Sequence, residues 1–373
     1  MKPGVCDTRW RLNHLIRLNL AITLLLAARG VGAELLERYS VRDTLAPPPD
    51  QLADARDCLE QLVWPPGDFE VRWKGTDRTA LRTRLVFPSP LPSGDAINDR
   101  VIVDWYRAWV EPDSGDSGSA ANPAVLVVHE AGANMPVGRM FAQAFQAEGF
   151  HAFLIHLPYY GERRSDRGHN PAKGLRQAVA DVRRARDAIA ALPEIAADRI
   201  AIHGISLGGF VAATTAAIDP SFHSAFILLA GGDLYDLLMR GEQDAARMRQ
   251  QLERAGYHGE RLRELVWAVE PLRLAHRLDP QRTWLYTARD DRVVPRENSL
   301  ALAQAAGLEG QHHRQLAGGH YTAIVHFARV VREIADRLRA DTTGSDQGPG
   351  GTEADLREDV VGELLVFPGG GCG

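Results

Sequence analysis

Ile200–Phe210 reads IAIHGISLGGF. An apolar run leads into Gly204, Ser206 stands between Gly204 and Gly208, and Gly209 follows directly. A turn would account for the glycines alone. A strand that stops in G-x-S-x-G and opens straight into a helix has a more specific meaning: it is a nucleophile elbow. The serine at such a turn takes a strained backbone conformation that makes its hydroxyl project. Its neighbours two before and two after are crowded, so glycine is needed at both. The helix N-terminus that follows carries partial positive charge, which favours a developing oxyanion.

The residues around this stretch give it the context it needs. From Ala124 the chain alternates continuous apolar runs with helical patterns. Strands are predicted over 124–128, 151–157, 199–204, 223–230, 283–288 and 313–318, with helices over 137–148, 172–192, 207–218, 297–306 and 321–339. In the last helix Ile324, Phe327, Val331, Ile334 and Leu338 share one face. Alternation of this kind predicts an α/β fold with a mostly parallel, twisted sheet covered by helices on both faces. Before Ala124, strand-like runs fall at 69–73, 81–87 and 100–110, and a helix is expected over 51–62 after the stiff LAPPPDQ at 45–51. Residues 232–276 break the alternation; their charged, helix-spaced pattern predicts an inserted helical lid or a peripheral decoration.

A serine hydroxyl is a weak nucleophile until a general base takes its proton and a third group orients that base. On a doubly wound sheet the partners come from loops at the strand ends. YTARDDRVVP (286–295) offers Asp290 and Asp291, and the D-x-x-V-P register favours Asp291. LAGGHYTA (316–323) places His320 between the last strand and the last helix. His312 and His313 precede that strand and are expected at the surface. His129, His156 and His203 fall in or at the ends of strands, where satisfied structural histidines are the commoner case.

The chain has 373 residues, 45% of them hydrophobic, enough for one large core. Its 43 basic and 48 acidic residues form no basic stripe with interleaved aromatics, which argues against a nucleic-acid partner. Cys6, Cys58 and Cys372 lack zinc-site spacing, so no metal site is expected. They are read as free thiols, a Cys58–Cys372 bond being the alternative. Residues 1–33 run from basic through apolar to small residues, as a signal peptide does, and the apolar run Leu18–Ala28 is too short to span a bilayer stably. Secretion or export to the periplasm is therefore expected, with an amphipathic helix on a cytoplasmic protein as the alternative. Residues 34–68 read as linker and helix, 69–340 as the hydrolase-like domain, and 341–373 as a disorder-prone tail.

GISLGG, DDRVVP and GGH, in that order and among these elements, resemble the α/β-hydrolase superfamily over about residues 69–340. VVHEAGANM (127–135) is similar to the dienelactone hydrolase and acetyl xylan esterase branch. The resemblance implies Ser206 as nucleophile, His320 as base and Asp291 as orienting acid. It also implies an oxyanion hole from the backbone N–H groups of Leu207 and Ala131. LPYYGERRS (157–165) resembles the branch's entrance loop, which makes Tyr159, Tyr160 and Arg163 candidates for substrate binding. Dienelactone hydrolases carry a Glu where Glu130 stands, but their nucleophile is usually cysteine, and Ser206 speaks against a dienelactone substrate. The roughly 90 residues between the leader and Ala124 are too few for the propeller of prolyl-oligopeptidase-type peptidases. The expected function is cofactor-free hydrolysis of a small carboxylic ester. Thioesterase, lactonase and small-peptide hydrolase are the enzymatic alternatives, and a catalytically silent binding module on this fold is the alternative outside catalysis. The oligomeric state is left open.

Overall fold

A computed structural model describes residues 35–75, 82–108, 122–165 and 171–340. The expected leader, the Glu111–Pro123 loop as far as residue 121 and the C-terminal tail lie outside the described residues. So do Cys6 and Cys372; Cys58 is buried and unbonded.

The chain builds a ten-stranded sheet in the order β1-β2-β3-β4-β6-β5-β7-β8-β9-β10. Strands β1 (Leu35–Arg42), β2 (Asp68–Gly75), β3 (Arg82–Pro88) and β4 (Arg100–Tyr106) form an antiparallel edge, and β4 pairs antiparallel with β6. Strands β5 (Asn122–Val128), β6 (His151–Ile155), β7 (Ile195–Ile205), β8 (Ala225–Leu228), β9 (Thr283–Ala288) and β10 (His313–Leu316) run parallel. This is the α/β-hydrolase fold. Strand β5 shows why the run AVLVV has no polar member. Ala124, Leu126 and Val128 point to one core, Val125 and Val127 to the other, and all five are fully buried.

Helices α1 (Ala53–Leu62), α3 (Pro171–Ala190), α4 (Leu207–Ile218) and α8 (Arg296–Ala305) cover one face. The other face is covered by α2 (Pro136–Ala147) and α9 (Phe327–Ala340). Three further helices, α5 (Leu234–Arg240), α6 (Asp244–Arg254) and α7 (Gly259–Trp267), stand between β8 and β9. They share a small core of their own, Leu238, Leu252, Leu262, Leu265 and Val266.

Two expectations differ from what the fold shows. The span 34–68, read as linker and helix, begins with β1, which extends the sheet by one strand beside β2. Its alternation is confined to the second half, where Tyr39 and Val41 pack on the core between the exposed Arg38, Ser40 and Arg42, while Leu35-Leu36-Glu37 does not alternate. In the last helical segment residues 322–326 form a tighter 3-10 turn before α9 starts. That turn rotates Ile324 off the apolar face, and it is 43% exposed.

Asp104 on β4 joins the antiparallel and parallel halves. It is 2% exposed and meets Arg84 of β3 at 2.7 Å, His156 after β6 at 3.1 Å and Arg139 of α2 at 3.3 Å. Burial alone would raise its pKa, but the hydrogen bonds and charges of His156 and Arg84 outweigh burial and hold the carboxyl below its ordinary value of 3.8. A carboxyl shifted this way stabilises the fold above its ordinary pKa, and the contribution fades as the pH drops below it. Asp104→Asn is therefore expected to lower the unfolding free energy by about 1–3 kcal/mol near neutrality. Urea melts of both proteins should show the gap narrowing from about pH 5 downward; a gap that widens in acid would contradict this account.

Candidate active site

Strand β7 ends at Ile205, and Ser206 precedes the first turn of α4 with φ 53° and ψ −119°. A positive φ at a residue with a side chain costs on the order of 1–3 kcal/mol and persists only where the surroundings enforce it. Here the Ser206 N–H donates to Leu228 O at 2.9 Å, and the Ser206 carbonyl accepts from Gly209 at 2.8 Å. The neighbouring glycines are required by contact. A Cβ on Gly204 would lie 2.6 Å from Ala212 Cβ, and one on Gly208 would lie 2.6 Å from His129 O. Helix α4 therefore starts pressed against the end of β5, which brings the 129–131 loop beside the elbow.

Loops after β9 and β10 meet the serine from the far side. The His320 Nε2 is 3.0 Å from Ser206 Oγ, and its Nδ1 is 2.7 Å from Asp291 Oδ2. The other Asp291 oxygen accepts the N–H groups of Val293 and Val294, each at 2.9 Å. With its oxygens held as acceptors, the carboxylate orients Nδ1 as the donor and leaves the Nε2 lone pair for the hydroxyl. Asp291 and His320 are 7% and 9% exposed. Asp290, the competing acid, is exposed; its N–H donates to Gly318 O at 3.0 Å and stitches the two loops together.

Leu207 and Ala131 border the same cavity as Ser206. Leu207 is the first residue of α4, so its N–H has no acceptor within the helix. Glu130 turns away from the serine: its two oxygens accept the N–H groups of Val137 and Gly138, both at 2.9 Å, at the start of α2. His129 is fully buried, and burial pushes its pKa down to about 3. The neutral ring donates from Nδ1 to Glu130 O at 2.6 Å and accepts the Leu157 N–H at Nε2, 3.1 Å. It thereby braces the 129–131 loop against the entrance loop. His203 is likewise buried and held down to about 3, packed between Phe141 and Phe145.

The cavity has a volume of about 530 Å³. Tyr159 and Tyr160 line it, as does Arg164. Arg163 does not, and its expected role in substrate binding is corrected. Its guanidinium is fully buried, donating to Asn98 O at 2.7 Å and His156 O at 2.9 Å and pairing with Asp181 of α3 at 2.7 Å. Arg163 closes the 3-10 turn Gly161–Arg163 and points inward, whereas its neighbour Arg164, where the chain leaves the turn in extended conformation, is exposed. His312 and His313, expected at the surface, are half-buried: His312 stacks on Trp284 and His313 contacts Thr287 at 3.1 Å.

The remaining cavity wall was not legible in the sequence. Phe210, Val293 and Leu237 are brought together by the lid and the strand-end loops. Tyr321, next to His320, donates to Asp244 at the start of α6 at 2.6 Å and ties the lid to the histidine loop. The D-x-x-V-P register contains Val293 and Val294, but nothing local to it announces the lid residues that cover them.

A model of the prolyl oligopeptidase family matches residues 142–333, which include Ser206, Asp291 and His320. The chain belongs to that family. It is a serine hydrolase of the α/β-hydrolase superfamily. The described residues before β5 are strands of the hydrolase sheet and α1, with no propeller blade among them. No curated protein matches in sequence. Among solved structures, an acetyl xylan esterase from Paenibacillus sp. R4 is similar, at 16% identity and TM-score 0.53, over 78% of this chain and 98% of that one. Acetyl xylan esterase 1 from Thermoanaerobacterium sp. JW/SL YS485 matches at 15% identity and TM-score 0.54, over 79% and 96% of the two chains. The α/β hydrolase GrgF from Penicillium sp. sh18 matches at 17% identity and TM-score 0.50, over 69% and 98%. At these identities the likeness concerns the fold. No helix among the described residues is long and apolar enough to cross a membrane.

Arg163 supplies a stability test. Arg163→Ala strands the buried Asp181 carboxylate and is expected to cost about 3–5 kcal/mol in denaturant unfolding. Arg164→Ala should leave the midpoint unchanged, since its guanidinium has no partner among the described residues. Equal midpoints for the two variants would contradict the assignment of Arg163 as a structural residue.

Proposed function

We propose that this serine hydrolase cleaves carboxylic esters of small molecules, with Ser206 as nucleophile, His320 as general base and Asp291 as the group that orients it. The observation that carries this reading is the hydrogen-bonded chain from Ser206 Oγ through His320 to Asp291, 3.0 and 2.7 Å, on a strained elbow that borders a largely apolar cavity. Ser206 attacks the ester carbonyl while His320 Nε2 accepts the hydroxyl proton. The N–H groups of Leu207 and Ala131 stabilise the oxyanion, the more so because the start of α4 adds its dipole. His320 then returns the proton to the leaving alcohol. A water deprotonated by His320 attacks the acyl-enzyme and regenerates Ser206. No step uses a metal or an organic cofactor.

Family membership raises peptide hydrolysis as the rival reaction. A peptide brings N–H and C=O groups that need partners once buried. The inner wall of this cavity, Leu157, Ala178, Val211 and Val266 among others, is apolar apart from the Thr214 hydroxyl. That wall favours an ester over an extended peptide. An exported protein is also our reading of residues 1–33, by their basic-apolar-small succession.

A fluorophosphonate probe should label the wild type and not Ser206→Ala. Ser206→Ala and Asp291→Asn are each expected to lose about three or more orders of magnitude in kcat on p-nitrophenyl esters. Asp290→Asn should stay within a few-fold of wild type. Peptidyl anilides should be cleaved far more slowly than esters. Near-full esterase activity in Ser206→Ala would overturn the mechanism, and anilides outpacing esters would move the assignment to a peptidase.

A further inference from the structure

The cavity beside Ser206 has a direction. Its wall includes Leu207, Phe210, Val211 and Thr214, which recur at helical spacing along one face of α4. Thr214 lies two turns beyond the nucleophile, about 12 Å at 1.5 Å per residue. The lid closes the far part through Leu252 of α6 and Val266 of α7. Polarity differs between the rim and the depth of the cavity. Arg164 and Gln251 line the cavity and are exposed, so they stand at the rim. Val211, Leu252, Val266 and Val269 are 2–5% exposed and apolar. The one hydroxyl at that depth, Thr214 Oγ1, is turned to Val269 O at 3.5 Å.

The histidine decides which half of an ester the cavity takes. His320 must give its proton to the leaving oxygen, so the alcohol lies beside Nε2. Ser206 and both oxyanion candidates, Leu207 and Ala131, line the cavity, and its deep wall follows α4, the helix that begins at the serine. The space that runs along α4 is assigned on that ground to the acyl side of the carbonyl, and varying the two halves of the ester separately tests the assignment. An acetyl group would leave most of about 530 Å³ to water with too few polar partners. A straight hydrocarbon advances about 1.3 Å per carbon, from C–C bonds of about 1.52 Å, so about 12 Å accepts eight or nine carbons.

We infer that the α4–lid cavity is an acyl-chain pocket and that the preferred substrates are esters of medium-chain, unbranched acids of about eight carbons. This inference rests on the ester-hydrolase reading above. It separates this chain from the two acetyl xylan esterases whose fold it shares.

The test varies each half of the ester separately, below the solubility limit of the substrates. At a fixed p-nitrophenol leaving group, kcat/KM should rise at least tenfold from acetate to octanoate and fall again by palmitate. Each methylene transferred into an apolar wall can contribute up to about fourfold. Lengthening the alcohol at fixed acetyl should change kcat/KM by less than about threefold. Thr214→Phe, which fills the pocket from its floor, and Val266→Phe, which fills it from the lid, should each lower the octanoate-to-acetate ratio about tenfold or more. Thermal melting and fluorophosphonate labelling establish that each variant is folded. An acetate optimum, an unchanged ratio in both folded variants, or an equal gain from a longer alcohol would overturn the inference. With the probe still labelling wild type, any of these leaves the serine hydrolase reading standing. Absence of both labelling and ester turnover would remove the two together.

Discussion

The closest constraint in the molecule is the approach of α4 to the end of β5. Gly208 lies so near the carbonyl groups of Val128 and His129 that no side chain fits. From that contact the remaining geometry follows. It holds Ser206 at a positive φ, presents the first free N–H of α4 beside the serine, and seats the 129–131 loop next to the elbow. Gly204 makes the matching approach from β7 to the helix. The strain at Ser206 is thus supported by packing between two adjacent parallel strands and one helix. The loops that carry Asp291 and His320 can then be longer and still meet the serine, because they are stitched to each other at Asp290 and Gly318.

A second theme is that charge in this protein is often structural. Arg163, Asp181 and Asp104 are buried and paired, and they pin the entrance loop and the antiparallel edge to the parallel sheet. Histidines divide in the same manner. His129 and His203 are held neutral by burial and serve packing, whereas His320 keeps one nitrogen for a carboxylate and the other for a hydroxyl. Residue type alone does not separate these roles; the surroundings of each nitrogen do.

Much of the fold was legible because its signals are local. A strand buried on both faces is largely apolar, which marks β5, β6 and β9. The elbow glycines are adjacent in sequence to the serine they serve. The edge strand β1 was not legible, since in LLERYSVR only Tyr39 and Val41 alternate with polar neighbours, too short a signal to mark a strand. Ile324 was assigned to the apolar face of a regular helix because helical spacing was assumed through a turn that is 3-10.

By itself the sequence determined the alternation of strand and helix, the strained serine, and the chain order in which an acid and a histidine follow it. These depend on neighbours within a few residues. Only the tertiary structure decided that Asp291 rather than Asp290 faces His320, because the two differ by one peptide in a turn whose orientation is set by backbone bonds to Val293 and Val294. It likewise decided that Arg163 points into the core and Arg164 to the rim. The apolar cavity was decided there too, since it is made where α4, the lid and the strand-end loops close on one another. Its walls come from segments tens of residues apart, and burial, not local pattern, gives those side chains a common function.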